Sequence, residues 1–388
     1  DNSLVDDKSD INVNLEGGKF TSNAETEIDG KSMKVAINFS EIKKGKLEVN
    51  LTGGSYLGEA DETYAEYYGK YCKKETHELE KVEEDGKIYY KVVDKTAKVA
   101  KVDEKEYPTL QEAIEAAGDG SVVTLLTDVT ECVTADKKIT FDLGGFTLTN
   151  VDGKGKHTIT VADGGNLTVN GPGTVDNVSH QAAAILNEAG GFVQLNSGTY
   201  NRSKENGKTT DNSGDNSWYT IVNCGEMVIG DGKDDDTDLT ILQNGSFTSM
   251  IRNGLGTKKD DKTPTPEDTP IAKMTINGGY FNHGKIDVKN EAYGEVTING
   301  GIFDCDRWGV VNYGKAVIKS GIFKGNNALV YNGIDDLAGA DKAKRGELKV
   351  EGGDFTYSED RYCISDYAPE KTWITGGTYS TQKIYYDE

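Results

Sequence analysis

The stretch Glu295–Phe323, EVTINGGIFDCDRWGVVNYGKAVIKSGIF, writes one short unit almost twice. Each copy runs an alternating apolar segment into Gly-Gly or Ser-Gly and places an aromatic residue two positions on. A second apolar segment follows, closed by Asn and, two residues later, Gly. Outward from this stretch the opening half recurs as FVQLNSGTY ending at Tyr200, LTILQNGSF at Phe247, MTINGGYF at Phe281, LKVEGGDF at Phe355 and WITGGTY at Tyr379. The closing half recurs as Ile185-Leu-Asn187, Ile221-Val-Asn223, Ile251-Arg-Asn253, Val288-Lys-Asn290, Val310-Val-Asn312, Leu329-Val-Tyr-Asn332 and Ile364-Ser-Asp366. The period is about 20 residues where the copies are tightest and grows only across polar insertions, as in a solenoid.

Two short strands with alternating side chains, joined by Gly and Asn turns, make a coil that cannot bury its inward residues alone. Stacked coils supply that burial. With no amphipathic helix of about ten residues between the strands, a βαβ alternation is excluded, and the expected class is all-β, a parallel β-helix. The Asn positions are expected to form an internal ladder, each side-chain amide bonding the next, at a turn where Asn tolerates positive φ. The competing arrangement is a β-sandwich with many hairpins.

Composition agrees. Of 388 residues only 35% are hydrophobic, which suits a thin core column, and 47 Gly against 6 Pro suits tight turns between strands. The formal charge of −22 argues against nucleic acid and against an anionic membrane, and leaves calcium as the cation such a surface might gather. No apolar run approaches membrane-spanning length. Five Cys, at 72, 132, 224, 305 and 363, lack C-x-x-C spacing and read as isolated packed thiols. The four His, at 77, 157, 180 and 283, have no partners at metal or triad spacing, and no P-loop, nucleophile elbow or HExxH is present.

Residues 1–93 read as a β-rich segment, the end of an earlier solenoid or a small β domain. INVNLEGGKF and LEVNLTGGSY match the opening half of the repeat, and Asp85-Gly86 marks a hairpin. From residue 94 to 388 the chain reads as the β-helix proper. Thr109 and Glu112 form a capping-box pattern, and Leu110, Ala113, Ile114 and Ala117 share one helical face before Gly118. A short helix over 109–117 is therefore expected to cover the open end of the strand column.

At YPTLQEAIEAAGDGSVVTLLTDVTE followed by KKITFDLGGFTLTN, the sequence resembles the module that opens right-handed, pectin-lyase-like β-helices in large, repeat-rich surface proteins of Gram-positive bacteria. GGSY…DGKIYYKVV resembles the segment that closes one such unit before the next. The resemblance implies a right-handed β-helix in a secreted or wall-associated protein, a monomer within a longer multi-domain chain. It does not fix an activity, because the class holds lyases, hydrolases and adhesins.

The repeat alignment yields a candidate surface. Four residues before each closing Asn or Asp stand Tyr219, Ser249, Ile286, Trp308, Ala328 and Tyr362; five before stand Trp218, Thr248, Lys285, Arg307, Asn327 and Arg361. Stacking puts such positions in columns, so Trp218, Tyr219, Arg307, Trp308, Arg361 and Tyr362 are the expected ligand-binding residues. Aromatic faces beside charged hydrogen-bonding groups suit sugar rings; the competing view is edge packing and surface ion pairs. Asp304, Asp306 and Arg307 form the one dense acid-base group on a repeat turn and would be the catalytic set of a polysaccharide lyase or glycoside hydrolase. In GDGKDDDTD, Asp231, Asp234, Asp235, Asp236 and Asp238 are possible calcium ligands. Insertions at 203–217, 230–238, 254–270 and 333–346 are expected to collect on a binding face or to be solvated excursions. The functional expectation is a non-catalytic adhesion or glycan-binding module without a resident cofactor; the alternatives are a carbohydrate-active enzyme and a spacer.

Overall fold

The computed structural model describes residues 11–21, 25–28, 30–37, 47–74, 76–95, 97–204, 219–233, 238–243, 249–255, 269–325, 328–333, 346–357, 362–380 and 384–386. The chain divides into two compact units, Asp1–Ala97 and Lys98–Glu388.

The larger unit is a parallel β-helix. Its strands form three long sheets, of 12, 10 and 10 strands, and each strand pairs with its counterpart one coil away. One coil is Gly294–Ile298 on the first face, Ile302–Cys305 on the second and Trp308–Asn312 on the third. The unit therefore has three strands per coil where two were expected. The run VTINGGIF holds two of them, because Gly301, at φ 108°, bends the chain between Ile298 and Ile302. At Gly300 a Cβ would lie 2.6 Å from the Asn277 carbonyl, so the bend accepts no side chain there either.

Register follows the repeat almost throughout, with Phe281, Phe303, Phe323, Phe355 and Tyr379 successive partners on the second face. Their rings stack at centroid spacings of 4.5, 4.6, 4.8 and 5.0 Å with planes within 10° of parallel. One coil departs from the expected alignment. Leu239–Leu242 lies on the second face, where Ile241 stands between Tyr200 and Phe281. The first-face strand of that coil is Glu226–Ile229, and the GDGKDDDTD insertion takes the place of the Gly-Gly bend. Phe247, expected at the aromatic position, lies outside the described residues.

The Asn ladder is present at the corner after the third face. Nδ2 of each Asn donates to Oδ1 of the next, Asn187 to Asn223, Asn253, Asn290, Asn312, Asn332 and finally Asp366, at 2.7–3.0 Å. All seven side chains are fully buried. The amides also bond main-chain carbonyls of first-face strands, for example Asn253 to Glu295 and Asn312 to Glu347, both at 3.0 Å. Positive φ plays no part, since the ladder Asn are the closing residues of extended strands.

At the N-terminal end of the column sits the helix Leu110–Ala116, whose Leu110, Ala113 and Ile114 join the column's core. The Thr109 hydroxyl accepts the Glu112 amide at 3.2 Å, and the carboxylate that takes up the Leu110 and Gln111 amides is Glu131, from the first coil. The hairpin Ala100–Val102 and Lys105–Tyr107 extends the first sheet beyond Ser121–Leu125.

In the smaller unit, Ile11–Phe20 pairs in parallel with Leu47–Gly58, followed by the antiparallel hairpin His77–Glu84 and Lys87–Asp94 turning at Asp85-Gly86. Sequence reading missed its helix, Glu62–Gly69. Asp61 caps it through the Thr63 amide at 2.9 Å, and Tyr64, Tyr67 and Tyr68, at helical spacing, are its buried side. Tyrosine fills this core because each ring packs while its hydroxyl reaches a main-chain carbonyl, Tyr68 to Leu57 at 2.7 Å and Tyr67 to Ile37 at 3.0 Å.

Candidate ligand-binding site

The third-face strands bring Tyr219, Ser249, Ile286 and Trp308 into one register column, as counted from the ladder. Trp308 is half-buried, with the Lys285 ammonium and the Arg307 guanidinium each 5.7 Å from its ring centroid. Burial, then the charges of Arg307 and Lys289, pull the Lys285 pKa below its usual value. These cations gather on an otherwise acidic chain because Lys285 and Lys289 belong to the third-face strand segment 285–290 and Arg307 opens the strand stacked on it.

The aromatic neighbour of Trp308 is Tyr331, at 6.0 Å edge-on, and Tyr331 meets Tyr367 at 5.2 Å. Trp308, Tyr331 and Tyr367 thus form a partly exposed stripe of three rings on adjacent coils. Tyr331 and Tyr367 escaped the sequence reading because they flank the closing Asn or Asp by one residue rather than four. The alternation alone marks them as outward, since each adjoins an inward ladder residue. Tyr362 is 38% exposed. Trp218 and Arg361 lie outside the described residues.

The acid group lies beside the stripe. Asp304 lies near Tyr280, whose phenol is held above its usual pKa by burial, then by the charge of that carboxylate and a hydrogen bond to it. Asp306 approaches the His283 ring at 3.8 Å, a partner the His spacing did not reveal. Beneath them is Asp287, fully buried, with neither carboxyl oxygen hydrogen-bonded. Other coils fill the equivalent inward position with Ala184, Thr220, Met250, Gly309, Leu329 or Cys363, all buried and none ionisable as a carboxylic acid. Burial, then Asp304 and Asp306, hold the Asp287 carboxyl well above the usual carboxylate range. The folded state therefore keeps a proton that the unfolded chain releases at about pH 4, and stability falls as pH rises from there through the folded pKa. Asp287→Asn is expected to raise the urea midpoint at pH 8 while changing it little at pH 4. Parallel pH profiles for the two proteins would contradict this.

An open groove of about 620 Å³ follows the Gly-Gly bends between first and second faces, lined by Asn277, Tyr280, Asn299, Ile302, Ile322 and Asp354 among others. It passes Tyr280 but does not include Asp304, Asp306 or Arg307. Near its upper end Asp231 pairs with Lys233. Asp238 is exposed, and Asp234, Asp235 and Asp236 lie outside the described residues. Among the described residues no three His, Cys, Asp or Glu side chains are grouped to hold a metal.

The insertions leave from all three corners: between Asn201 and Tyr219 after the second face, between Ile229 and Leu239 after the first, and after Asn253 and Asn332 at the third. All five Cys are free thiols, with Cys72, Cys305 and Cys363 buried.

Fold and site define a parallel β-helix carrying a cation-flanked aromatic stripe. Compared with family models, curated proteins and solved structures, the chain matches none.

Proposed function

We propose that the chain is a non-catalytic binding module of a secreted or wall-associated protein, taking a glycan along the third face. The observation that carries this reading is the half-exposed stripe Trp308, Tyr331 and Tyr367 with Lys285 and Arg307 over its first ring. Ring faces accept sugar C–H groups, and the two cations offer donors to hydroxyls or carboxylates. The resemblance of the first coils to surface-protein modules supports the extracellular setting.

A glycan array with neutral and acidic oligosaccharides tests the proposal. Trp308→Ala is expected to weaken binding on the order of tenfold to a hundredfold, the loss of one stacked aromatic anchor, while leaving the fold intact. Equal binding by both proteins, or none by either, would remove the stripe as a ligand site.

A second reading, a carbohydrate-active enzyme using Asp304, Asp306 and Arg307, draws on the buried Asp287, since an unpaired acid in a core is a cost that functional sites tolerate. Release of reducing or unsaturated sugar ends from neutral and acidic polysaccharides separates it from the first.

A further inference from the structure

Trp308 has a counterpart nearer the N-terminal end of the column. Tyr219 stands in the same register line, three coils away, with Ser249 and Ile286 between the two. At about 4.8 Å per coil the rings lie roughly 14 Å apart along the column. Tyr219 is partly exposed, as Trp308 is. The neighbouring outward line runs Val222, Arg252, Lys289, Val311, and so places Arg252 and Lys289 on the two coils that separate the rings.

These two cations differ in how they are satisfied. Lys289 is paired, its ammonium 2.8 Å from Glu291 and 5.7 Å from the centroid of the Tyr313 ring. Burial works to lower its pKa, but Tyr219 and Glu291 outweigh burial and raise it above the usual value. Arg252 is not. Among the described residues its guanidinium makes no hydrogen bond and no ion pair, and its partly buried side chain keeps Nε away from water with the donor unmet. Glu188 acts with Arg252 on the Cys224 thiol, which burial raises, Arg252 lowers and Glu188 raises, yet it does not bridge to Arg252. The other acids near the face are engaged, Glu291 by Lys289, Asp304 by Tyr280 and Asp306 by the His283 ring.

A guanidinium offers five N–H donors in a planar fork that matches a carboxylate or a sulfate. A partly buried one with a dry, unmet donor costs the fold free energy that an arriving anion returns. The edge cations work in the same direction. After burial, it is the charges of Arg307 and Lys289 that lower the Lys285 pKa, so the positive groups of this face repel one another and an anion among them relieves that repulsion.

We propose that the third face between Tyr219 and Trp308 binds the anionic group of an acidic glycan, a carboxylate or a sulfate ester, on Arg252. This rests on the glycan reading of the same face and adds the charge class of the ligand. The net charge of −22 does not oppose it at close range, because at physiological salt exposed charges more than about 8 Å away are largely screened.

The test is an array carrying each oligosaccharide core in a neutral, a carboxylate-bearing and a sulfated form, probed with the intact chain and with its Trp308→Ala, Arg252→Gln and Arg252→Lys variants. Acidic forms should bind about tenfold or more tightly than their neutral cores, and Arg252→Gln should bring them down to the level of those cores. Arg252→Lys, which keeps the charge and loses the fork, should fall between, a gradation that misfolding would not produce. Whichever acidic form binds identifies the anion. Equal binding of acidic and neutral forms, or a preference for acid that survives Arg252→Gln, would overturn this inference, and the stripe would still stand if Trp308→Ala weakened binding. A preference lost in Arg252→Gln but untouched by Trp308→Ala would sustain the anion site and remove the stripe. Binding of no form by the intact chain would overturn both.

Discussion

Asn290→Ala is expected to destabilise the β-helix by about 2–5 kcal/mol, read as a fall in the urea midpoint. Its amide bonds Asn312 Oδ1 at 2.8 Å, Gly294 O at 3.0 Å and Lys315 O at 3.1 Å, while its own Oδ1 accepts from Asn253. Truncation strands the Asn312 oxygen and the Lys315 carbonyl in a corner from which water is excluded, so the cost is that of unmet buried groups, not of one lost bond. An exposed Asn pair such as Asn299 and Asn277, bonded at 2.8 Å near the groove, is the control, since solvent can replace its partner. A loss below about 0.5 kcal/mol for Asn290→Ala would mean that the ladder does not hold the corner together.

The second large effect is Phe303→Ala, expected to cost about 3–5 kcal/mol. Phe303 is fully buried and stacked on both sides, by Phe281 at 4.5 Å and Phe323 at 4.6 Å. The cavity cannot collapse easily, because the coils above and below are fixed by main-chain pairing on three faces. Each lost ring contact adds about 0.5–1.5 kcal/mol beyond area burial. Phe303→Leu, which keeps most of the volume but not the stack, should fall between, and a leucine variant as weak as alanine would assign the effect to stacking rather than filling.

The stacking of coils was legible because the residues that specify it stand at fixed steps: an Asn at the closing position, an aromatic two past the Gly pair. Three-sidedness was not. Ile298 and Ile302 belong to one apolar run in sequence, and only the backbone at Gly300 and Gly301 turns that run through a corner. The slip at Leu239–Leu242 has the same origin, since without a Gly pair after Ile229 nothing in the residue pattern distinguishes a first-face strand from a second-face one.

At the site, Trp308 and Arg307 stood out by residue type, and Asp304 and Asp306 by local density. Asp287 did not, although its signal was present: an acid at the step where other coils place Ala184, Thr220, Met250, Gly309 or Leu329. Tyr331 became a neighbour of Trp308, and Tyr367 of Tyr331, only through the diagonal that side chains take across a sheet, which column counting ignores. The helix Glu62–Gly69 was hidden because its buried side is tyrosine, a residue common in strands.

The most direct measurement of the stacked-coil account is spacing along the column. Lys138, Lys273, Lys315 and Glu347 are exposed and belong to one register line on the first face, with Lys273, Lys315 and Glu347 four, six and seven coils from Lys138. Spin labels at Lys138 and at each of these in turn, with Cys132 replaced by Ser, should give pulsed dipolar distances near 19, 29 and 34 Å, about 4.8 Å per coil. The increments should ignore how many residues each insertion adds. Distances that follow sequence separation instead, or a Lys138–Glu347 distance no longer than Lys138–Lys273, would contradict the β-helix and with it the aromatic stripe.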